Sequence, residues 1–366
     1  MKPGVIALLG SGETAPSMTK VHRQLFNMLG EVRAVALDTS YAFQTNVPQM
    51  TAKIVDYFAV SLRTEVVPVH LGHVATTPVI EQARARQAVR HATYVFAGPG
   101  SPSYALRQWS GASIGEELAN VVRAGGVVSF ASAAALTLGA FTAPIYEIYK
   151  AGADPHWLEG LDVLALSGLK CAVIPHFDNS EGGNYDTRYC YLGEERLEYL
   201  EGLLPADAGI LGIDEHTALI IDLAADEVRV MGRANAHWRK NGVTITLQNG
   251  TATPLDVLQS FTPAIVAAAS TDTPANVNEL NELVQRALDG GTGAADAIAT
   301  LADRTTAACS QPSINTSLID QILQLRTEAR SRKDFGLSDR IREILNAHEI
   351  EVIDDPTNSR WNYKSR

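Results

Sequence analysis

The sequence predicts an α/β protein with a three-layer, doubly wound and mostly parallel sheet, followed by a small all-α C-terminal appendage. In the first 130 residues, short apolar runs alternate with amphipathic stretches. This order implies a parallel sheet with helices on both faces. In the last fifty residues, apolar positions recur at helical spacing and predict two amphipathic helices.

The first five predicted strands are apolar at successive positions, as strands buried on both faces must be. They are Val5–Leu9, Val32–Leu37, Thr64–His70, Ala92–Ala97 and Gly126–Phe130. The predicted helices between them are Ser17–Leu29, Val47–Leu62, Thr77–His91 and Ser113–Ala124. Ligands bind outside the carboxyl ends of strands in an open parallel sheet, so the loops that follow these strands form the candidate site.

Beyond residue 160 the predicted strands lie closer together, which suggests an antiparallel extension. They are Leu161–Leu166, Ala172–Pro175, Ile210–Ile213, Thr217–Asp222, Glu227–Met231 and Val243–Leu247. The composition then shifts toward Ala, Thr, Asp and Gly. We therefore predict a catalytic domain at 1–250, a helical connector at 251–313 and a helical hairpin at 314–366.

Charge and composition exclude several classes of protein. The 366-residue chain has a formal net charge of -11, which argues against a generally basic nucleic-acid-binding protein. Its three cysteines show no disulfide framework and no zinc-type spacing. No apolar stretch approaches the roughly 18 residues of a membrane span, and the N-terminus is typical of a first strand. We expect a cytoplasmic protein with no membrane segment, no metal and no organic cofactor.

The stretch VVSFASAAALTLG, residues 127–139, predicts a strand that runs into an apolar helix with Ser132 at the junction. Serine at such a junction is either a helix N-cap or a nucleophile exposed on a sharp turn. A nucleophile turn needs small residues two positions before and after the serine. These are Phe130 and Ala134, so only one side fits. The stretch alone leaves both interpretations open.

Two later segments supply groups that a serine nucleophile needs. His176 ends a predicted strand and precedes a polar loop, which suits a general base. Glu215 separates two apolar strands; it is either an ordinary turn residue or the group that orients the histidine. The glycines of GPGSPS, residues 98–103, let backbone N–H groups approach an oxyanion or a carboxylate closely.

With these motifs in this order, residues 1–248 resemble the cyanophycinase and dipeptidase E (α-aspartyl dipeptidase) family of serine peptidases. That family has the class I glutamine amidotransferase-like fold. The resemblance implies a Ser-His-Glu triad, an oxyanion hole and, from the dipeptidase branch, an alternative acid. These roles fall on Ser132, His176 and Glu215, on Gly98, Gly100 and the Ala133 N–H, and on Glu147.

The resemblance implies hydrolysis of a small peptide or amide substrate, acidic or isoaspartyl in character. Its substrate-binding candidates are Arg188, Ser101, Asp178 and Asn179. Arg188 either binds a substrate carboxylate or pairs with a neighbouring acid, Asp186 or Glu195.

The chain also departs from the family pattern. The family sequence around the nucleophile is Gly-x-Ser-Ala-Gly, whereas here it is Phe-Ala-Ser-Ala-Ala. The basic loop that follows the histidine in cyanophycinases is replaced by Asp-Asn-Ser-Glu-Gly-Gly. The alternative function is therefore a binding or scaffold protein in which Phe130 has collapsed the turn.

Residues 318–361 resemble the end of cysteinyl-tRNA synthetase, through Arg-x-Glu-Ala-Arg-x-x-Lys-Asp-Phe, Ser-Asp-x-Ile-Arg and a final Arg-Trp. The resemblance implies tRNA contact by the C-terminal helices. The residues concerned are Arg326, Arg330, Arg332, Lys333 and Trp361. The alternative is a helical hairpin that docks or forms a homodimer. A tRNA-linked acyl hydrolase or transferase would combine both resemblances.

Overall fold

The computed structural model describes residues 2–260, 338–339, 342, 350–354 and 359–363. The chain divides into two compact units, Met1–Pro263 and Ala264–Arg366. Most of the predicted connector, 251–313, lies outside the described residues, so the three-part division stays a prediction. Within the described residues, no helix is long and apolar enough to span a bilayer.

The first unit contains fourteen described strands that form two sheets. In chain order they are β1 (Val5–Leu9), β2 (Ala34–Leu37), β3 (Val66–Val69), β4 (Tyr94–Ala97), β5 (Val127–Ala131), β6 (Phe141–Thr142), β7 (Leu158–Glu159), β8 (Cys171–Ile174), β9 (Gly209–Ile213), β10 (Thr217–Asp222), β11 (Glu227–Gly232), β12 (Ala236–Lys240), β13 (Val243–Leu247) and β14 (Ala252–Pro254).

Its α-helices connect and cover these strands. They are α1 (Thr19–Asn27), α2 (Val47–Tyr57), α3 (Val79–His91), α4 (Pro102–Gly111), α5 (Ile114–Arg123), α6 (Ala133–Leu136), α7 (Ile145–Tyr149), α8 (Gly193–Gly202) and α9 (Asp256–Gln259). Helix α2 continues as a π-helical turn, Phe58–Leu62, which ends where Arg63 takes a φ of 55°.

The larger sheet has the order β14-β11-β10-β1-β5-β4-β2-β3. Strands β1 to β5 pair in parallel, and β10 pairs with β1 in the antiparallel sense. Alternate residues of β1 enter different apolar clusters: Ile6 and Leu8 join one, and Val5, Ala7 and Leu9 join the other. Both faces are therefore covered, and the predicted doubly wound α/β class is confirmed.

The second sheet has the order β13-β12-β9-β8-β6-β7. The sequence pattern predicts neither this separate sheet nor its strand β12. The predicted strand Leu161–Leu166 is wrong, because Val163–Ser167 forms a 3-10 helix. Asp162 and Gly168 flank this helix in left-handed conformations, with φ of 51° and 71°. A short buried apolar run does not distinguish a strand from a helical turn by periodicity alone.

In the second unit, the described residues include two antiparallel strands, β15 (Ile350–Asp354) and β16 (Ser359–Tyr363). The prediction of an all-α appendage is therefore wrong for this segment. Ile350, Val352 and Ile353 are β-branched, and β-branched residues favour strands over helices.

Phe130 provides a test of the packing beneath the predicted site. Its side chain is fully buried, and its ring centroid lies 5.3 Å from that of Trp109. We expect Phe130→Ala to lower the free energy of unfolding by about 3–5 kcal/mol, because it leaves a cavity in the main core. The measurement is urea unfolding, with Phe130→Leu as the matched control. Equal stability of the two variants would contradict this packing argument.

Candidate active site

Ser132 occupies a sharp corner between β5 and α6. Its backbone has φ 50° and ψ -124°, a conformation that non-glycine residues rarely adopt. Its N–H donates to the Leu9 carbonyl oxygen at 3.0 Å, and its own carbonyl accepts from the Ala135 N–H at 3.0 Å. The side chain makes no capping hydrogen bond to α6, so the N-cap interpretation is wrong. The corner presents Oγ as a nucleophile turn would.

Phe130 does not obstruct this corner. Side chains alternate across a strand, and that of Phe130 enters the apolar cluster on the Trp109 side of the sheet. Ala134, two residues after the serine, is fully buried in the same cluster. The sharp turn at Ser132 therefore tolerates Phe130 where the family that this chain resembles has glycine, because the Phe130 side chain packs in the core.

His176 follows β8 and reaches Ser132 from the second sheet. The distance between Ser132 Oγ and His176 Nε2 is 2.9 Å. The other ring nitrogen, Nδ1, lies 2.7 Å from Glu215 Oε1. His176 also has a positive φ, 48°, and its carbonyl oxygen accepts from the Cys190 N–H at 3.1 Å. The three side chains thus form one continuous hydrogen-bonded chain.

Glu215 lies in the turn between β9 and β10. Its N–H donates to Asp178 Oδ1 at 2.7 Å, and its Oε1 also faces Asn179 Nδ2 at 3.4 Å. The hydrogen bond with His176 lowers the pKa of Glu215, which keeps the carboxyl ionised. An ionised carboxylate only accepts, so His176 Nδ1 donates and Nε2 is left to accept from Ser132. Asp178 and Asn179, predicted to bind substrate, hold this acid.

Burial raises the pKa of Asp178, and the neighbouring carboxylates of Asp214 and Glu215 act in the same direction. The hydrogen bond from the Glu215 N–H opposes these effects.

The predicted alternative acid, Glu147, accepts a hydrogen bond from Ser103 Oγ instead of contacting the histidine. The geometry therefore favours Glu215 over Glu147 as the partner of His176.

The segment Gly98–Gly100 follows β4, the strand next to β5. Gly100 has a φ of 145°, and a Cβ built on it would lie 1.9 Å from the Ser40 carbonyl oxygen, so no other residue fits. Within the described residues, the N–H groups of Gly98, Gly100 and Ala133 donate to no protein acceptor. The three N–H groups that the sequence analysis assigns to an oxyanion hole are thus without a protein partner in the part of the chain that the structure describes.

A cleft of about 560 Å³ opens beside this segment. It is lined by Phe43, Gln44, Gly100, Ser101, Ser103, Tyr104, Arg107, Tyr146, Glu147 and Lys150. Arg107 lies 5.5 Å from the centroid of the Tyr104 ring, and Lys150 lies 5.0 Å from that of Tyr146. Neither cation forms an ion pair within the described residues. Ser101, a predicted substrate-binding residue, lines the cleft and caps α4 through Tyr104 N.

Arg188 is held by neighbouring residues. Its guanidinium donates twice to the Asp186 carboxylate, at 2.9 and 2.8 Å, and once to the Tyr189 hydroxyl at 3.1 Å. Its Nη2 lies 3.4 Å from Glu194 Oε2. The acids that surround Arg188 are thus Asp186 and Glu194, rather than Glu195. The ion-pair alternative for this residue is favoured over substrate binding.

His70 contacts the Asp38 carboxylate, and no group of three or more metal-ligating side chains occurs in the part of the chain that the structure describes. Burial raises the pKa of Cys190 to about 12, which leaves an unreactive thiol.

The predicted RNA contacts at Arg326, Arg330, Arg332 and Lys333 lie outside the described residues. Trp361 belongs to β16. RNA contact stays a prediction.

Comparison with known proteins supports the fold of the first unit. A peptidase from an acI-B1 Actinobacterium has a similar structure, with a TM-score of 0.53 at 20% sequence identity. The match covers 69% of this chain and 97% of that protein. At this identity the likeness shows a shared fold. No family model matches the chain.

A short segment is similar to cysteine–tRNA ligases. The ligase of Lactobacillus helveticus (strain DPC 4571) is 42% identical over 53 residues, or 14% of this chain and 11% of the ligase. That of Anoxybacillus flavithermus (strain DSM 21510 / WK1) is 46% identical over 43 residues, or 12% of this chain and 9% of the ligase. The chain therefore spans about a tenth of these relatives.

Sequence reasoning missed Arg107 and Lys150 in the cleft and Glu13 behind Gly98. Arg107 is in the middle of α4, and Lys150 follows α7, so neither is next to the end of a parallel strand in sequence. Glu13 had a usable signal, since it is the one acidic residue of GSGET, a loop that follows a strand of the parallel sheet. Its contact with the Gly98 region depends on the fold.

The backbone at Ser132 provides a test of strain. At an ordinary position, Gly is less stable than Ala by roughly 0.5–1 kcal/mol. A positive φ costs a non-glycine residue about 1–3 kcal/mol, which glycine does not incur. We expect Ser132→Gly to be at least as stable as Ser132→Ala in urea unfolding. Both variants lose the bond to His176, so their difference isolates the backbone. A lower stability of the glycine variant would show that the corner is unstrained.

Proposed function

We propose that this protein is a serine hydrolase that cleaves an amide or peptide bond. The observation that carries the proposal is the continuous relay from Ser132 Oγ through His176 to Glu215, with distances of 2.9 and 2.7 Å. Nucleophile, base and orienting acid within hydrogen-bond reach are the arrangement that activates a serine hydroxyl. The relay lies at the carboxyl end of β5, where sheets of this kind place their ligands.

In the first half-reaction, Ser132 Oγ attacks the substrate carbonyl carbon while His176 Nε2 takes the hydroxyl proton. Glu215 stabilises the imidazolium that forms, through the Nδ1 hydrogen bond. The new oxyanion accepts from the unpaired N–H groups of Gly98, Gly100 and Ala133. When the carbon–nitrogen bond breaks, the amine leaves with the proton from His176, and Ser132 carries the acyl group.

In the second half-reaction, water replaces the amine. His176 takes a proton from the water, and the resulting hydroxide attacks the acyl-serine carbonyl. The ester bond breaks, and Ser132 Oγ recovers its proton from His176. Every proton transfer passes through the same imidazole, and no step requires a group from outside the chain other than water.

The substrate that the cleft suits best carries a carboxylate, as an acidic or isoaspartyl amide does. Arg107 and Lys150 line the cleft and have no acidic partner within the described residues, whereas Arg188 is occupied by Asp186. The cleft adjoins Gly100, so a substrate group in it lies next to the proposed oxyanion hole. Arg107 and Lys150 supply the attraction that the acidic loop after His176 lacks.

The non-catalytic alternative required Phe130 to collapse the corner. Its burial against Trp109 and the presentation of Ser132 Oγ to His176 both favour the enzyme.

The proposal is tested first by active-site labelling. We expect a fluorophosphonate probe to label the native chain, and Ser132→Ala to abolish labelling because the nucleophilic oxygen is gone. His176→Ala should reduce the labelling rate by at least 100-fold, because the base is lost. The readout is the labelled fraction against time, resolved on a gel. Ser129→Ala is the matched control, since Ser129 is fully buried on β5, the strand that leads to Ser132. Equal labelling of the native chain and Ser132→Ala would refute Ser132 as the nucleophile.

Substrate charge is tested with paired amides. We expect an aspartyl aminomethylcoumarin amide to be cleaved in preference to the asparaginyl amide, because only the former offers a carboxylate. The double variant Arg107→Gln, Lys150→Gln should reduce this preference, measured as the ratio of kcat/KM for the two amides, at least tenfold. The reduction should come from a lower kcat/KM for the aspartyl amide. Arg188→Gln is the control and should leave the preference within about threefold. A larger effect of Arg188→Gln than of the double variant would contradict recognition by the cleft. It would indicate that the loop after His176 binds the substrate carboxylate.

A further inference from the structure

Glu13 is a buried carboxyl next to the proposed oxyanion segment that the mechanism above does not use. It follows β1 in the loop Gly10–Thr14, and only 9% of the residue is exposed. A Cβ built on Gly98 would lie 3.4 Å from Glu13 Oε1. The carboxyl therefore packs directly behind Gly98, one of the proposed oxyanion donors.

The main chain fixes Glu13 in this position. Its carbonyl oxygen accepts from the buried His22 Nε2 at 2.7 Å. The preceding residue, Gly12, has a φ of 65°, and a Cβ there would lie 2.1 Å from His216 Nδ1. Contacts from α1 and from the β9–β10 turn thus enclose the loop on both sides. Among the described residues, no side chain forms a hydrogen bond with the Glu13 carboxyl; His22 contacts only the main-chain carbonyl.

The titratable groups around Glu13 come from four elements. His22 lies on α1, Tyr57 on α2, His176 after β8 and His216 in the β9–β10 turn. Burial raises the pKa of Glu13. The hydrogen bond from its own backbone N–H and the charges of His176 and His216 lower this pKa, but the effect of burial is larger. Burial also lowers the pKa of His22 to about 4, so His22 brings no positive charge to balance an ionised Glu13.

The ionised and neutral forms of this carboxyl have opposite consequences for acyl transfer. An ionised Glu13 would place a negative charge beside the position where the oxyanion forms, and like charges at short range destabilise each other strongly where water is excluded. A neutral carboxylic acid carries no such charge and adds a polar O–H to the wall behind Gly98.

We propose that Glu13 is a positioning residue of the catalytic site, a neutral carboxylic acid behind the oxyanion segment whose ionisation switches the site off. This proposal rests on the proposed serine hydrolase function. Glu13 acts through Gly98 and through the local field at Ser132, without taking part in bond making. At a pH below the raised pKa of Glu13, the carboxyl is neutral and the oxyanion can form beside Gly98 without repulsion. At a pH above it, the negative charge on Glu13 destabilises the oxyanion.

The test is the pH dependence of fluorophosphonate labelling, compared between the native chain and Glu13→Gln, which is neutral at every pH. We expect the two second-order rate constants to agree within about threefold at the acidic end. The ratio of Glu13→Gln to native should then rise at least tenfold as pH increases through the ionisation of Glu13. Glu13→Met, also neutral and of similar size, should reproduce the rise. Glu117→Gln, which neutralises a buried carboxylate that pairs with Arg90, should leave the ratio flat.

A ratio that stays constant with pH would overturn the proposal, as would a uniform loss of at least 100-fold in Glu13→Gln, since that would mean the site needs the charge. Loss of the fold in both Glu13→Gln and Glu13→Met would also contradict it, because a neutral native residue should tolerate neutral replacements of its size. Failure of the proposed function appears separately, as native protein that Ser132-dependent labelling does not detect at any pH.

Discussion

The left-handed corner at Ser132 is the constraint on which the site depends. Its N–H donates to the Leu9 carbonyl oxygen, so the corner is tied to the end of β1, in the middle of the larger sheet. With the backbone turned sharply there, Oγ points out of the sheet edge rather than into α6. The strained conformation is supported by β5, which leads into the corner, and by its neighbour β1, since neither strand contains an exposed residue. A corner at a sheet margin would lack that support.

The second requirement is that two separate sheets meet at this corner. Ser132 belongs to the larger sheet, and His176 follows β8 of the smaller one. Glu215 lies in the turn that carries the chain from β9 in the smaller sheet to β10 in the larger. This crossing is close-fitting, because a Cβ on Gly10 would lie 2.0 Å from the Asp214 carbonyl oxygen. The acid of the relay is therefore placed by the junction that joins the sheets.

The sequence predicts the larger sheet well, because continuously apolar strands and amphipathic helices follow from burial on two faces. It also locates Ser132, His176 and Glu215 individually, since each ends a strand. It does not predict the second sheet, because β12, with the sequence AHWRK, carries polar residues in an antiparallel pairing that only its neighbours define. The sequence does not predict the positions of Glu13 and Arg107 for a similar reason. Packing between segments distant in the chain brings them near the site, and residue spacing carries no information about such contacts.

The loop after His176 shows how a departure from a family pattern can be explained by contacts rather than by loss of function. Its acidic and amide side chains are used internally: Asp178 binds the Glu215 N–H, Asn179 faces Glu215 Oε1, and Asp186 holds Arg188. A loop occupied in this way supports the acid of the relay and has no free cation to offer a substrate. In the proposed function, recognition of a carboxylate is assigned to the cleft across Gly100, where Arg107 and Lys150 have no acidic partner within the described residues. The proposal thus assigns two tasks, holding the acid and attracting the substrate, to different segments of the chain.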